Sequence, residues 1–146
     1  MPKFKLESIL QHRKHLEEIF QRAMADTLQA LAAEKKSLGR LKANRAHIQH
    51  DLEQKLKNDI NATEMRHFHK YLDRLALDIK EQRARVAAAE QKLEQKRLAL
   101  TEAVKSRKIM DKLKDKQLAA DVERLQKHEQ SFMNEVAIGR HLRSRH

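Results

Sequence analysis

Nine histidines and no cysteine set the first chemical question in this 146-residue sequence, because imidazoles at helical spacing are potential metal ligands. His12 with His15, and His47 with His50, lie three residues apart, which puts each pair on one helical face. His67 and His69 would approach His50 if the chain folded back between them. A working zinc site, however, adds carboxylates or thiolates in a dry pocket held by outer hydrogen bonds, and a thin helical pair does not supply one. These histidines therefore read as surface side chains. No Gly-rich phosphate loop, nucleophile and base pair, or apolar pocket for reacting carboxylates occurs. The sequence predicts no enzymatic activity and no cofactor.

The cations pose the second question. A net charge of +11 and an isoelectric point near 10.0 attract something acidic, whether nucleic acid, an anionic membrane surface or an acidic protein groove. The run Lys105, Arg107, Lys108, Lys112, Lys114 and Lys116 is interrupted by Asp111 and Asp115 and has no interleaved aromatic ring for base stacking. That is the pattern of a solvated helical flank. Residues 51–64, by contrast, carry Asp51, Glu53, Asp59 and Glu64 against Lys55 and Lys57. Tyr71, the only tyrosine, falls one position before the apolar line of its helix, where an exposed ring is either a partner anchor or simply tolerated. Phe68 falls on that line and reads as core.

The elements that position these side chains follow from composition. Two Gly, one Pro and 36% charged residues leave almost no turn punctuation, so a sheet-containing fold is excluded and long helices with a narrow buried seam are expected. The charged start of the chain, Lys3-Phe4-Lys5, is unlike a secretory leader, and no window is apolar enough to span a bilayer. The absence of cysteine permits a reducing compartment. Clustered stop and start signals occur once in the interior, at Asn58-Asp59-Ile60-Asn61, with Glu64 three residues after Asn61 as in a capping box. Gly139 is a natural C-cap. One domain is expected, with helices over about 3–57 and 62–139, a turn at 58–61 and a basic tail at 140–146.

Along the second helix Met65, Phe68, Leu72, Leu75, Ile79, Gln82, Val86, Ala89, Leu93, Lys96, Leu100, Ala103, Arg107 and Met110 alternate in steps of three and four, the mark of a left-handed coiled coil. The first helix offers Ile9, Arg13, Leu16 and Phe20, then Met24, Leu28 and Leu31 after a slip, then Leu38, Leu41, Arg45, Ile48, Leu52 and Leu56. A turn near Ile60 opposes residues whose numbers sum to about 120, and the apolar positions then meet. Leu52 faces Phe68, Leu41 faces Ile79 and Phe20 faces Leu100. Arg13 falls opposite Arg107, tolerable only if an acid such as Glu17 takes the charge. The fold class is all-α, a long two-helix antiparallel coiled-coil hairpin whose C-terminal helix overhangs by roughly 25 residues, in a rod on the order of 115 Å long. The overhang carries Leu118, Val122, Leu125, Phe132 and Val136 as a further apolar line, which another protein should cover.

Three stretches carry a family resemblance. Phe4-Lys5-Leu6-Glu7-Ser8-Ile9-Leu10-Gln11-His12-Arg13, Phe68-His69-Lys70-Tyr71-Leu72-Asp73-Arg74-Leu75, and Arg107-Lys108-Ile109-Met110-Asp111-Lys112-Leu113-Lys114-Asp115-Lys116-Gln117 resemble the flagellar export protein FliJ family. The ending Glu135-Val136-Ala137-Ile138-Gly139-Arg140 is similar to that family's as well, so the likeness covers essentially the whole chain.

The resemblance implies a cytoplasmic, non-enzymatic component of the bacterial flagellar type III export apparatus, held peripherally at the cytoplasmic face of the inner membrane. It implies an antiparallel coiled coil like the central stalk of rotary ATPases. The implied partners are the hexameric flagellar export ATPase, the export gate protein FlhA and export chaperones, with no nucleic acid. On that reading Leu118, Val122, Leu125, Phe132 and Val136 are expected to contact the ATPase ring, and Leu41, Ile48, Tyr71 and Leu75 the gate. Two other classes fit the residues alone: a basic nucleic-acid-associated coiled coil with steep salt dependence, and a generic scaffold or chaperone that self-associates through the overhang.

Overall fold

A computed structural model describes residues 4–144. The chain forms two α-helices, α1 (Glu7–Lys57, 51 residues) and α2 (Ala62–Ser144, 83 residues), with no strand among the described residues. Both begin and end where local chemistry favours it. Glu7 N donates to Phe4 O at 3.1 Å to open α1, and acidic Glu7 stands in the first turn against basic Lys55 and Lys57 in the last, complementing the helix dipole. Asn61 Oδ1 accepts from Glu64 N at 2.8 Å, capping α2. The Glu64 carboxylate reaches Lys55 across the turn at 3.7 Å.

α2 does not stop at Gly139. It runs on to Ser144, and neither glycine has a positive φ, so the expected C-cap and the basic tail from residue 140 are both replaced by helix. A single glycine costs a helix about 1 kcal/mol, which flanking helix formers outweigh. The expected start of the first helix near residue 3, and residues 145–146 of the tail, lie outside the described residues.

The described residues pack as two compact units, residues 19–101 and residues 4–18 with 102–144. In the first, the helices run antiparallel either side of the turn. Pairs across them, Lys55 with Glu64, Asn44 with Tyr71 and Glu34 with Gln82, keep residue-number sums within about five of 120. Every expected α2 seam residue from Met65 to Leu100 is buried or half-buried, with Leu75 and Ile79 deepest. On α1 the line is Phe20, Met24, Thr27, Leu31, Glu34, Leu38, Leu41, Arg45, Ile48 and Leu52, an uninterrupted alternation of four and three.

The slip expected at Leu28 is therefore absent. Leu28 is exposed, Thr27 is buried, and the last expected member, Leu56, is exposed. Thr27 is tolerated inside because its hydroxyl donates to Ala23 O at 2.7 Å. The Gln82 amide donates to Glu34 O at 3.0 Å and to the Glu34 carboxylate, so this polar layer is satisfied across the helices.

In the second unit Leu10, Ala103 and Met110 are buried. Ile9 and Arg13 are exposed, so the α1 line here passes through Leu10 in their place, while the expected Leu16 is half-buried, as is Glu17 beside it. The feared apposition of Arg13 and Arg107 is resolved by Glu17, which takes the Arg107 charge. Between Leu118 and Ser144 only Asp121 is buried and only Gly139 is half-buried.

Candidate functional site

The first candidate surface is the bare stretch of α2 within the second unit. Leu118, Val122, Leu125, Phe132 and Val136 recur at steps of four and three around Glu129, so they share one face, and all are between 38% and 62% exposed. Hydrocarbon left in water at this scale on one helix face makes it a candidate contact surface. Charge is balanced locally around it. Arg124 pairs with Asp121, and Lys127 Nζ lies 3.3 Å from Glu123. A concavity of about 430 Å³ is lined by Asp121, Arg124, Leu125 and His128.

The second candidate surface belongs to the unit that contains the turn. A shallow groove of about 490 Å³ is lined by Ile48, Lys55, Glu64, His67, Phe68 and Tyr71. Tyr71 is 46% exposed, and its hydroxyl accepts from Asn44 Nδ2 at 3.1 Å, which fixes the ring's outer end while leaving its face available. Ile48 and Leu41 are half-buried. Leu75 is 4% exposed and belongs to the core, so its expected place in a gate-facing surface is withdrawn: a partner reaches it only by parting the helices. Lys55, Glu64 and His67, expected only as a turn lysine, a cap residue and a surface histidine, join this groove because the hairpin brings the end of α1 beside the start of α2.

The strongest electrostatic feature lies in the second unit. Arg107 Nε is 2.7 Å and Nη2 3.3 Å from the two oxygens of Glu17, and Nη1 is 2.8 Å from Asp111 Oδ2. The hydrogen bonds that Arg107 donates hold the Glu17 carboxyl below its ordinary value, and acceptance by Glu17 and Asp111 pushes the guanidinium pKa up. Glu7, bonded first to Gln11 and then to Lys114, is lowered in the same way. These groups bind each other and form no vacant catalytic pair.

The histidines of the expected pairs are exposed. His47 Nε2 lies 3.4 Å from Asp51 Oδ2, and no group of three or more metal-ligating side chains gathers among the described residues. No helix there is long and apolar enough to cross a membrane.

Compared with known proteins, the chain matches the family profile described as Flagellar FliJ protein over residues 2–146, nearly its whole length. No curated protein and no solved structure matches it.

Proposed function

Because the chain belongs to the FliJ family, and so to the components of the flagellar export apparatus, we propose that it serves there as a non-enzymatic, stalk-like regulator of the export ATPase, linking that ring to the gate protein FlhA and to export chaperones. The observation that carries this reading is the uncovered apolar face of α2 from Leu118 to Val136. A partner of another kind suits it better than a second copy. Antiparallel self-pairing that sets Val122 on Val136 and Leu125 on Phe132 would also set Glu129 on Glu129 and Glu123 on Glu135, and like charges opposed across a seam are unfavourable. The ATPase ring is the proposed occupant of this face. The groove at Tyr71, lined also by Ile48, is the proposed gate contact, together with Leu41 in a separate concavity beside Asp78 and Gln82. The chain then works at the cytoplasmic face of the inner membrane at the flagellar base.

Co-purification with the export ATPase tests the first contact. Combining Leu118→Ser, Leu125→Ser and Phe132→Ser should abolish association while leaving the helical circular-dichroism signal intact, since all three side chains are already in solvent. Retained association and full stimulation of ATP hydrolysis would place the ring contact elsewhere. For the gate contact, Tyr71→Ala should weaken binding to FlhA without loss of helix, and an unchanged affinity removes Tyr71 from that surface.

A further inference from the structure

The second unit spends its acids internally. In its paired part, residues 4–18 and 102–117, nine cations face six acids, a local excess of three. Four of those acids are already engaged: Glu7 with Lys114 at 3.1 Å, Glu17 and Asp111 with Arg107, and Glu102 with Lys105 at 3.5 Å. Lys5, Lys108, Lys112 and Lys116 are exposed and form no contact ion pair among the described residues. On α2, Lys105, Ile109, Lys112, Leu113 and Lys116 follow one another at i, i+4, i+7, i+8 and i+11, which is a single face turned away from the buried Ala103 and Met110. Ile109 is 59% exposed and Leu113 is 42% exposed on it.

We propose that this lysine-rich, aliphatic-studded face of α2 docks directly on an anionic phospholipid bilayer. The contact is the chain's own, additional to any membrane association made through the export machinery. Lysine ammonium groups are attracted to the negative leaflet, and aliphatic side chains beside them insert at the boundary between headgroups and acyl chains. A nucleic acid is the poorer fit. The face has no arginine for bidentate phosphate contacts and no aromatic ring on which a base could stack. The apolar line from Leu118 to Val136 takes no part, so bilayer and protein contacts are separable by mutation.

Sedimentation of the full-length protein with vesicles tests the proposal. Binding is expected to vesicles of phosphatidylcholine with phosphatidylglycerol, to fall with added salt, and to be absent with phosphatidylcholine alone. Replacing Lys105, Lys112 and Lys116 together by Gln should weaken it on the order of a hundredfold. Ile109→Ser with Leu113→Ser should weaken it roughly tenfold or more at unchanged net charge. All five positions are exposed, and circular dichroism verifies that the variants remain helical. No binding to the anionic vesicles, equal binding to both kinds, or wild-type binding by the triple Gln variant overturns the proposal. So does tighter binding to a DNA duplex that is lost in the Gln variant and unaffected by the two Ser substitutions.

Discussion

Arg107 of α2 lays its guanidinium fork along the Glu17 carboxylate of α1, with Nε 2.7 Å from Oε2 and Nη2 3.3 Å from Oε1. Both residues sit on seam positions, where a coiled coil ordinarily places hydrocarbon. Two-point recognition of this kind is satisfied at one helix register and broken by a slip in either direction. It therefore fixes alignment in the unit that carries the longer helix's bare end. Glu17→Gln should lower the melting temperature by removing the charge that Arg107 is bonded to. Arg107→Gln combined with Glu17→Gln should recover part of that loss, because two neutral amides can then bond each other across this half-buried position.

The same contact gives stability a direction with pH. Glu17 is held below its ordinary 4.5 by Arg107, and Glu7 below the same value by Gln11 and Lys114. A carboxyl whose folded pKa is depressed stabilises the fold fully above its unfolded value, and that contribution is lost as pH falls through the folded one. Melting temperature should therefore decline as pH drops below about 4.5. The decline should be shallower for Glu17→Gln, and an identical profile for that variant would show that Glu17 makes no such contribution.

The layer formed by Glu34 and Gln82 separates stability from register. Gln82→Leu leaves the Glu34 carbonyl and carboxylate without their donor and should cost on the order of 1–3 kcal/mol in urea unfolding. Leucine at both positions should restore or exceed wild-type stability. Within that unit the polar contacts left across the helices are Lys55 with Glu64 and Asn44 with Tyr71, and spin-label distances across the helices should broaden if the Glu34 and Gln82 layer helps to fix alignment.

Gly39 lies mid-helix, exposed, with no atom within 4 Å of the Cβ that alanine would add. Gly39→Ala should stabilise the chain by about 0.5–1 kcal/mol, through reduced freedom of the unfolded state and better helix propensity. A destabilising result would show that this position needs a conformation other than the straight helix.

Ile79 and Leu125 carry side chains of equal size with opposite surroundings. Ile79, 2% exposed, should cost about 2–5 kcal/mol when cut to alanine. Leu125→Ala should change stability by no more than about 0.5 kcal/mol, since its side chain is already in water. Chemical denaturation of both variants checks the contrast.

The seam of α2 was legible residue by residue, because its line is apolar apart from Gln82, Lys96 and Arg107 and the period survives those interruptions. The seam of α1 is harder to read where a polar residue sits on the line beside an apolar neighbour. Leu28 is exposed and Thr27 beside it is buried, so there side-chain type points one position away from the strict count, and half-buried Glu17 adds a polar member next to Leu16. Thr27 is satisfied by its own helix and Glu17 by a residue ninety positions away. Leu75 carries two expectations, core by its period and gate-facing by resemblance, and its depth favours the first, while the cap residue Glu64, Lys55 and His67 share a groove only because the hairpin brings them together.

Composition and periodicity by themselves determined that this protein is two helices broken once, paired antiparallel, with an apolar line on the second helix that the first is too short to cover. Those properties follow from local propensity, capping and the 3.5-residue repeat, all of which act within a few residues. Only the tertiary structure decided which polar side chains enter the seam, which aliphatics stand in water, and which cations are left without an acid. Each of those depends on a partner brought from the opposite helix, and the free energy of a charge or a hydrogen bond is set by what stands across from it rather than by the residue's own type.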